Sequence, residues 1–346
     1  MAAAPRMTSP AHPGRLLVFD CHEAWVYQLR WLGQPMDVIV GLPGRMTRDW
    51  DLAMRPHPPG AQMLCLEEAL SKGATDPYDC ILAHNLTDLL DVKSLRGPKL
   101  LILHETLPGV AAAQKSFTPP EEIRRAIAQY VELLGAHAIA TSALKASSWG
   151  LADHVPCAAD PADYPLYVGD LARGLRIANQ IHRKSHALLW SFHQDALATV
   201  PLTLVGRNDG MPGVFPARDW DDLKEILRRH RFYVHTANPR LEDGYNMATL
   251  EAMAAGLPVI GNRHPSSPVL HGFNGFLSDD PSELRSFALW LLRDIDLAAR
   301  MGREARRTVE TNFSPHNFVA GLRAAIEEAR KKWKEKSWSR LNNRIG

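Results

Sequence analysis

With 346 residues, 45% hydrophobic and 23% charged, the chain is long enough for two ordinary domains and has the make-up of a globular protein. A formal net charge of +2 gives no argument for a nucleic-acid partner, although it leaves room for a local polyanion-binding patch, and with no run of about 18 apolar residues no membrane-spanning helix is expected. Four scattered cysteines, Cys21, Cys65, Cys80 and Cys157, form no Cys-x-x-Cys pair, which speaks against structural zinc and a disulfide framework and points to a reducing cytoplasm.

Residues 1–14 are rich in Ala and Pro, lack an apolar signal core, and are expected to be a disordered extension. Short apolar runs then alternate with helical stretches, the pattern of a parallel α/β sheet. Strands are expected at 16–19, 37–40, 63–66, 80–83, 99–103 and 138–141, making a first Rossmann-like domain over 15–157. Two prolines, Pro156 and Pro161, mark an extended linker. A second Rossmann-like domain over 158–314 is expected from strands ending near 167–169 and lying at 202–205, 232–235, 258–260 and 275–277. A loop and a helix are expected to follow the strand end at 167–169, within 169–185, and amphipathic helices at 281–292 and 298–311. The last segment, 315–346, carries a helix over 315–334 and a basic tail. In that tail Arg330, Lys331, Lys332, Lys334, Lys336, Arg340 and Arg344 surround Trp333 and Trp338. Such a tail is either a solvated helix end or a contact with an anionic membrane surface, which would place the protein at the inner face of the membrane.

The stretch 236–265 is the most informative. A strand at 232–235 enters an acidic, Gly-containing loop at 242–246, which opens an Ala-rich helix ending at Gly256, followed by a strand at 258–261. Such a turn brings backbone N–H groups and the positive end of a helix dipole to one point, suited to a phosphate. Carboxylates at both ends of the turn are poor phosphate ligands and good acceptors for sugar hydroxyls, so the combination suggests a nucleotide-sugar. Glu251 lies about five residues into the helix, about 7.5 Å from its phosphate-facing end, roughly the reach from a diphosphate to a ribose.

In these residues the chain resembles the retaining glycosyltransferases of family 4, which have the GT-B fold. Their motif is a Glu, seven residues and a second Glu; here Asp243-Gly244-Tyr245-Asn246 leads to Glu251-Ala252-Met253-Ala254, with Gly256, Pro258 and Val259 in step. Asp243 stands in the register of the first Glu, while Glu242 lies one residue early, and either is within reach of the donor sugar. The segment 155–161 resembles the family's hinge with Cys157-Ala158 in place of Asn-Gly, and 301–306 resembles a stretch near the family's C-terminus. The resemblance implies two Rossmann-like domains whose parallel sheets face a central cleft, with the final helix crossing back onto the first domain.

It also implies roles. Glu251 would bind ribose hydroxyls and Asp243, or Glu242, the donor sugar. The amides of Tyr245, Asn246 and Met247, after Gly244, would face the diphosphate. A departing nucleoside diphosphate needs cations. Arg173 and Arg176 are the first candidates, then Arg183 and Lys184, although the family's Gly-Arg-x-x-x-x-Lys-Gly spacing is not reproduced. Arg207 follows Gly206 at a strand end, where ligands of open α/β sheets collect. His104, at the end of the run 100–103, resembles the family's strand-terminal His facing the reacting sugar; its alternative is a strand cap. His84 has the same placement one strand earlier. The first strand ends in Asp20-Cys21-His22-Glu23-Ala24-Trp25 where family members often have a Gly-Gly loop, so His22, Glu23 and Trp25 become candidate acceptor contacts, with Trp25 equally suited to the core. The histidines show no metal-ligand spacing and no Asp-x-Asp lies at a strand end, so no metal and no cofactor is expected.

The resulting expectation is an enzyme: a metal-independent, cytoplasmic retaining hexosyltransferase. It would move sugar from a UDP- or GDP-sugar to a carbohydrate or lipid-linked acceptor, as in polysaccharide biosynthesis. The alternatives are a non-catalytic sugar-nucleotide or glycan binding module on the same scaffold, or a different GT-B reaction such as epimerisation or phosphorolysis.

Overall fold

The computed structural model of the chain describes residues 14–44 and 49–345, with side chains through 339. The expected N-terminal extension, save residue 14, and the side chains of Arg340 and Arg344 lie outside the described residues.

Two parallel sheets build the molecule. The first contains β1 (Leu16–Phe19), β2 (Met36–Ile39), β3 (Ala61–Leu64), β4 (Cys80–Ala83), β5 (Lys99–Leu103) and β6 (His137–Ala140), in the order β3-β2-β1-β4-β5-β6. Strands such as Leu-Leu-Val-Phe and Cys-Ile-Leu-Ala are apolar throughout because helices cover both faces of a parallel sheet. The second contains β7 (Leu171–Ile177), β8 (Leu202–Val205), β9 (His230–Val234), β10 (Val259–Gly261) and β11 (Gly275–Leu277), in the order β11-β10-β9-β7-β8. In each sheet the order reverses once, between β1 and β4 and between β9 and β7, and crevices for ligands form at the carboxyl ends of strands at such points.

The first strand of the second sheet corrects the expectation for 167–184. That stretch is β7 followed by turns, and the next helix is Trp190–Leu197. Leu171-Ala-Arg-Gly-Leu-Arg-Ile177 pairs with β8 on one side and β9 on the other, and Leu175 is wholly buried between them, where only a strand fits.

The last helix, Pro315–Ile345, runs further than expected and packs on the first sheet. Phe318, Leu322, Ala325, Ile326 and Ala329, at helical spacing, are buried against Leu16, Val18, Cys80, Leu82 and Leu100. Trp333 lies under the Lys99 ammonium, which is 5.0 Å from its ring, and Arg330 pairs with Asp79 across 2.5 Å; Trp338 is exposed. The segment is therefore largely occupied in holding the C-terminus on the first domain. Among the described residues no helix is long and apolar enough to cross a membrane.

Candidate functional site

The loops at the carboxyl ends of the two sheets meet where the domains join, in a closed cleft bridged by side-chain contacts. On the second domain, Asn246 caps helix Met247–Ala254: its side chain accepts the Thr249 amide at 2.9 Å, and Thr249 Oγ1 accepts the Asn246 amide at 3.3 Å. This corrects the expected set of phosphate-facing amides. Asn246 N–H is already taken by Thr249 Oγ1, so Met247 and Ala248 hold the first-turn amides that the cap leaves for a ligand. Gly244 is required by close approach, since a Cβ there would lie 2.7 Å from the His264 ring.

Glu251 is the fifth residue of this helix and is 4% exposed. Its carboxylate forms an ion pair with Arg55, from the loop between β2 and β3 of the other domain. Arg55 is itself buried, lies over the Trp220 ring at 4.8 Å, and has its pKa lowered by desolvation. Asp243, 1% exposed, meets Lys145 Nζ at 3.1 Å and accepts from Ser266 Oγ at 3.2 Å. Glu242 lies 3.4 Å from the same ammonium and is half-buried. Burial opposes the charge on Lys145, but Glu242 and Asp243 outweigh it and hold its pKa up at about 12. Lys145 belongs to helix Ala143–Trp149 of the first domain, capped by Ser142. Every carboxylate of the motif thus meets a cation from the opposite domain. Neither Arg55 nor Lys145 was singled out from the sequence, because no local pattern marks a residue whose partner lies about 100 or more positions away.

Two further contacts close the cleft. Thr106 Oγ1 donates to Leu241 O at 2.6 Å, and Arg207 pairs with Asp51. Arg207 follows Gly206, whose φ of 140° and 2.2 Å approach of a would-be Cβ to Ala178 O exclude other residues.

The remaining cationic candidates separate. Arg173 is exposed and bonds Leu202 O and Thr203 Oγ1 of β8, near the amino end of β7, so it is removed from the reacting position. Arg176 is 3% exposed, donates to Thr236 Oγ1 at 2.9 Å and Leu188 O at 3.0 Å, and burial lowers its pKa to about 10. It braces the loops after β7 and β9 from beneath, leaving no face for a phosphate. Lys184 is exposed on the turns after β7, and its charge acts on His22 of the first domain, so it borders the cleft.

On the first domain, His104 follows β5 and His84 follows β4; His84 Nδ1 and His104 Nε2 are 2.9 Å apart, so one donates to the other. Cys21 Sγ lies 3.9 Å from His104 Nε2. Burial pushes the His84 pKa down to about 3 and His104 well below its ordinary value, so both rings are neutral at neutral pH. Trp25 is core, 3% exposed, with its ring edge-on to both imidazoles at 4.8 and 5.1 Å. Glu23 is buried and accepts the Asp51 amide at 3.2 Å, so it holds the loop that carries Arg55. Of the three expected acceptor contacts only His22 stays exposed.

Residues 194–294 match the family model described as Glycosyl transferases group 1. Over 83 residues the chain is 34% identical to N-acetyl-alpha-D-glucosaminyl L-malate synthase of Bacillus anthracis, a stretch that is 23% of this chain and 22% of that protein. The match therefore spans about a fifth of that relative's length. Among solved structures, the sucrose-phosphate synthase of Thermosynechococcus elongatus aligns with a TM-score of 0.65 at 15% identity, covering 91% of this chain and 98% of that one. Anabaena HepE, solved with UDP and glucose, aligns at 0.64 and 16% identity, covering 91% and 99%. TarM aligns at 0.56 and 12%, over 71% of this chain and 54% of that one. The chain has the GT-B fold, with a glycosyl transferases group 1 segment in its second domain.

Proposed function

We propose that the chain is a retaining, metal-independent glycosyltransferase that takes a nucleoside-diphosphate-sugar, with UDP-sugars favoured, and passes the sugar to a carbohydrate acceptor. The observation that carries this reading is helix Met247–Ala254, whose cap engages the Thr249 amide and not those of Met247 and Ala248, with Glu251 one turn further along. The diphosphate would sit at the amides of Met247 and Ala248, where the helix dipole favours anionic charge without reorganisation. The ribose would meet Glu251, displacing Arg55. Once displaced, Arg55 stands with Arg207 and Lys184 as the cations available to the leaving diphosphate, and Asp243 or Glu242 would accept hydroxyls of the sugar. His104 stands opposite, on the acceptor side. The uridine preference is supported by the UDP complex of HepE, a structural neighbour, and by no residue specific to uracil.

The reaction class is tested by incubating the protein with UDP-, GDP- and ADP-sugars and following release of nucleoside diphosphate with and without glycan acceptors. A thermal-shift screen comes first, because a ligand at about 100 times its Kd adds about 2.7 kcal/mol of stability. The ion pairs on Glu251, Asp243 and Glu242 favour a second reading, a binding module without turnover. Nucleotide-sugar binding with neither hydrolysis nor transfer would select it.

A further inference from the structure

We propose that Cys21, His84 and His104 form a binding site for a thiophilic divalent cation of the zinc class at the floor of the cleft. β1, β4 and β5 are consecutive in the first sheet, so the residues just beyond their carboxyl ends stand side by side. Those residues are Cys21, His84 and His104, and their ligand atoms all lie within 4.8 Å of one another.

The spacing fits one ion. Tetrahedral zinc with Zn–N of about 2.05 Å and Zn–S of about 2.3 Å places two nitrogens about 3.3 Å apart and a sulfur about 3.6 Å from a nitrogen. Here the nitrogens are 2.9 Å apart and the sulfur is 3.9 Å from His104 Nε2. Shifts of about 0.4 Å close these two differences, and the sulfur, which lies within 4.8 Å of the His84 nitrogen, needs a shift of up to about 1.2 Å, which rotation about the Cys21 side chain supplies. The donor set of two imidazoles and one thiol suits zinc, cobalt or copper and is poor for magnesium or calcium. Trp25 holds both imidazole planes edge-on, so the ligands are preorganised.

A second observation points the same way. Asp20, next to Cys21, is 7% exposed, and neither of its carboxylate oxygens has a hydrogen-bond partner. A buried carboxylate without a partner is costly, and a cation nearby offsets that cost. As the Cys21–metal bond forms, the thiol proton leaves to solvent. Three protein ligands leave a fourth position for water, and Cys21 and His104 are both partly exposed, so the ion can enter from the cleft. Occupancy would engage His104 Nε2 and so repress sugar transfer; that consequence rests on the transferase reading, whereas the binding does not.

The test is a Co(II) titration of the chelator-stripped full chain. The expected result is the intense visible absorption of tetrahedral Co(II) with a thiolate-to-cobalt charge-transfer band in the near ultraviolet, displaced by one equivalent of Zn(II). Cys21→Ser should lose the charge-transfer band, and His84→Ala should weaken cobalt binding at least about ten-fold. Nucleotide-induced thermal stabilisation, read on the metal-free variants, reports their folding and fails separately if the transferase reading is wrong. A weak octahedral spectrum, or equal binding by wild type and both variants, would overturn the site.

Discussion

Arg55 and Glu251, 196 positions apart in sequence, form a buried ion pair that ties the loop between β2 and β3 to the helix Met247–Ala254. Each is the other's neutralising partner at a place where water has little access, 3% and 5% exposed. Removing one partner of such a pair leaves a desolvated charge, at a cost of about 3–5 kcal/mol. A ribose binding at Glu251 has to replace the guanidinium, so nucleotide entry and opening of this pair are coupled.

Glu251→Gln is expected to weaken binding of the nucleoside diphosphate by at least about ten-fold and nearly abolish turnover. A hydrogen bond to a charged group contributes about 1.5–3 kcal/mol. Calorimetric titration measures the affinity, and unchanged affinity and rate would remove Glu251 from the site.

Arg55→Met should act in the opposite direction on affinity. The nucleotide no longer competes with a guanidinium for Glu251, so binding tightens by about ten-fold, equivalent to about 1.4 kcal/mol. Turnover should fall, because one of the cations facing the leaving group is gone. Equal affinity in wild type and variant would mean that the pair opens at no cost or that ribose does not bind there.

Asp243→Asn and Glu242→Gln decide which carboxylate serves the sugar. Asp243 is buried between Lys145 and Ser266, while Glu242 is half-buried, lies near the same lysine and accepts the Asp243 amide. We expect Asp243→Asn to lower the rate by about ten-fold or more, about 1.4 kcal/mol in barrier, with little effect on affinity for the nucleoside diphosphate. Glu242→Gln should do less. The reverse ranking would reassign the motif's first carboxylate to Glu242.

Turnover should persist in a strong chelator, since the helix amides and the cleft cations carry the leaving-group charge. Loss of turnover on chelation, with recovery on adding magnesium, would defeat that account.

Acid should destabilise the fold through His193. Burial, helped by Arg176, lowers its pKa to about 2, and its ring stacks on Trp190 at 4.6 Å. A folded-state pKa below the unfolded value near 6.5 gives stability that is present above pH 6.5 and is lost as pH falls toward 2. Between pH 6.5 and 5 the loss is about 2 kcal/mol. His193→Phe keeps the stack and removes the titration. Its urea-unfolding free energy should therefore fall less than that of wild type over the same pH interval; parallel slopes would show that His193 is protonated in the native state.

The apolar runs of β1, β4 and β5 were legible in the sequence to the residue, because strands buried on both faces have nearly continuous apolar composition bounded by turns. The capped helix bearing Glu251 was legible as well, since a cap, a helix period and a terminal glycine are local signals. β7 was not: its side chains alternate imperfectly, and only the space between β8 and β9 decides that 171–177 is extended. That misreading moved Arg173 and Arg176 into the site, although one faces solvent and the other is spent on Thr236 and Leu188.

What the sequence determined by itself was therefore the set of elements with short-range signals, together with the motif carboxylates that one loop and one helix hold in fixed spacing. What only the tertiary structure decided was the partner of each charge. Arg55 meets Glu251, Lys145 meets Asp243, and Cys21 meets His84 and His104 because parallel strands place distant residues at one sheet edge and domain packing sets two such edges face to face. Parallel strands are joined by long crossovers, so neighbours at a sheet edge are separated by tens of residues and carry no spacing that a linear reading can detect.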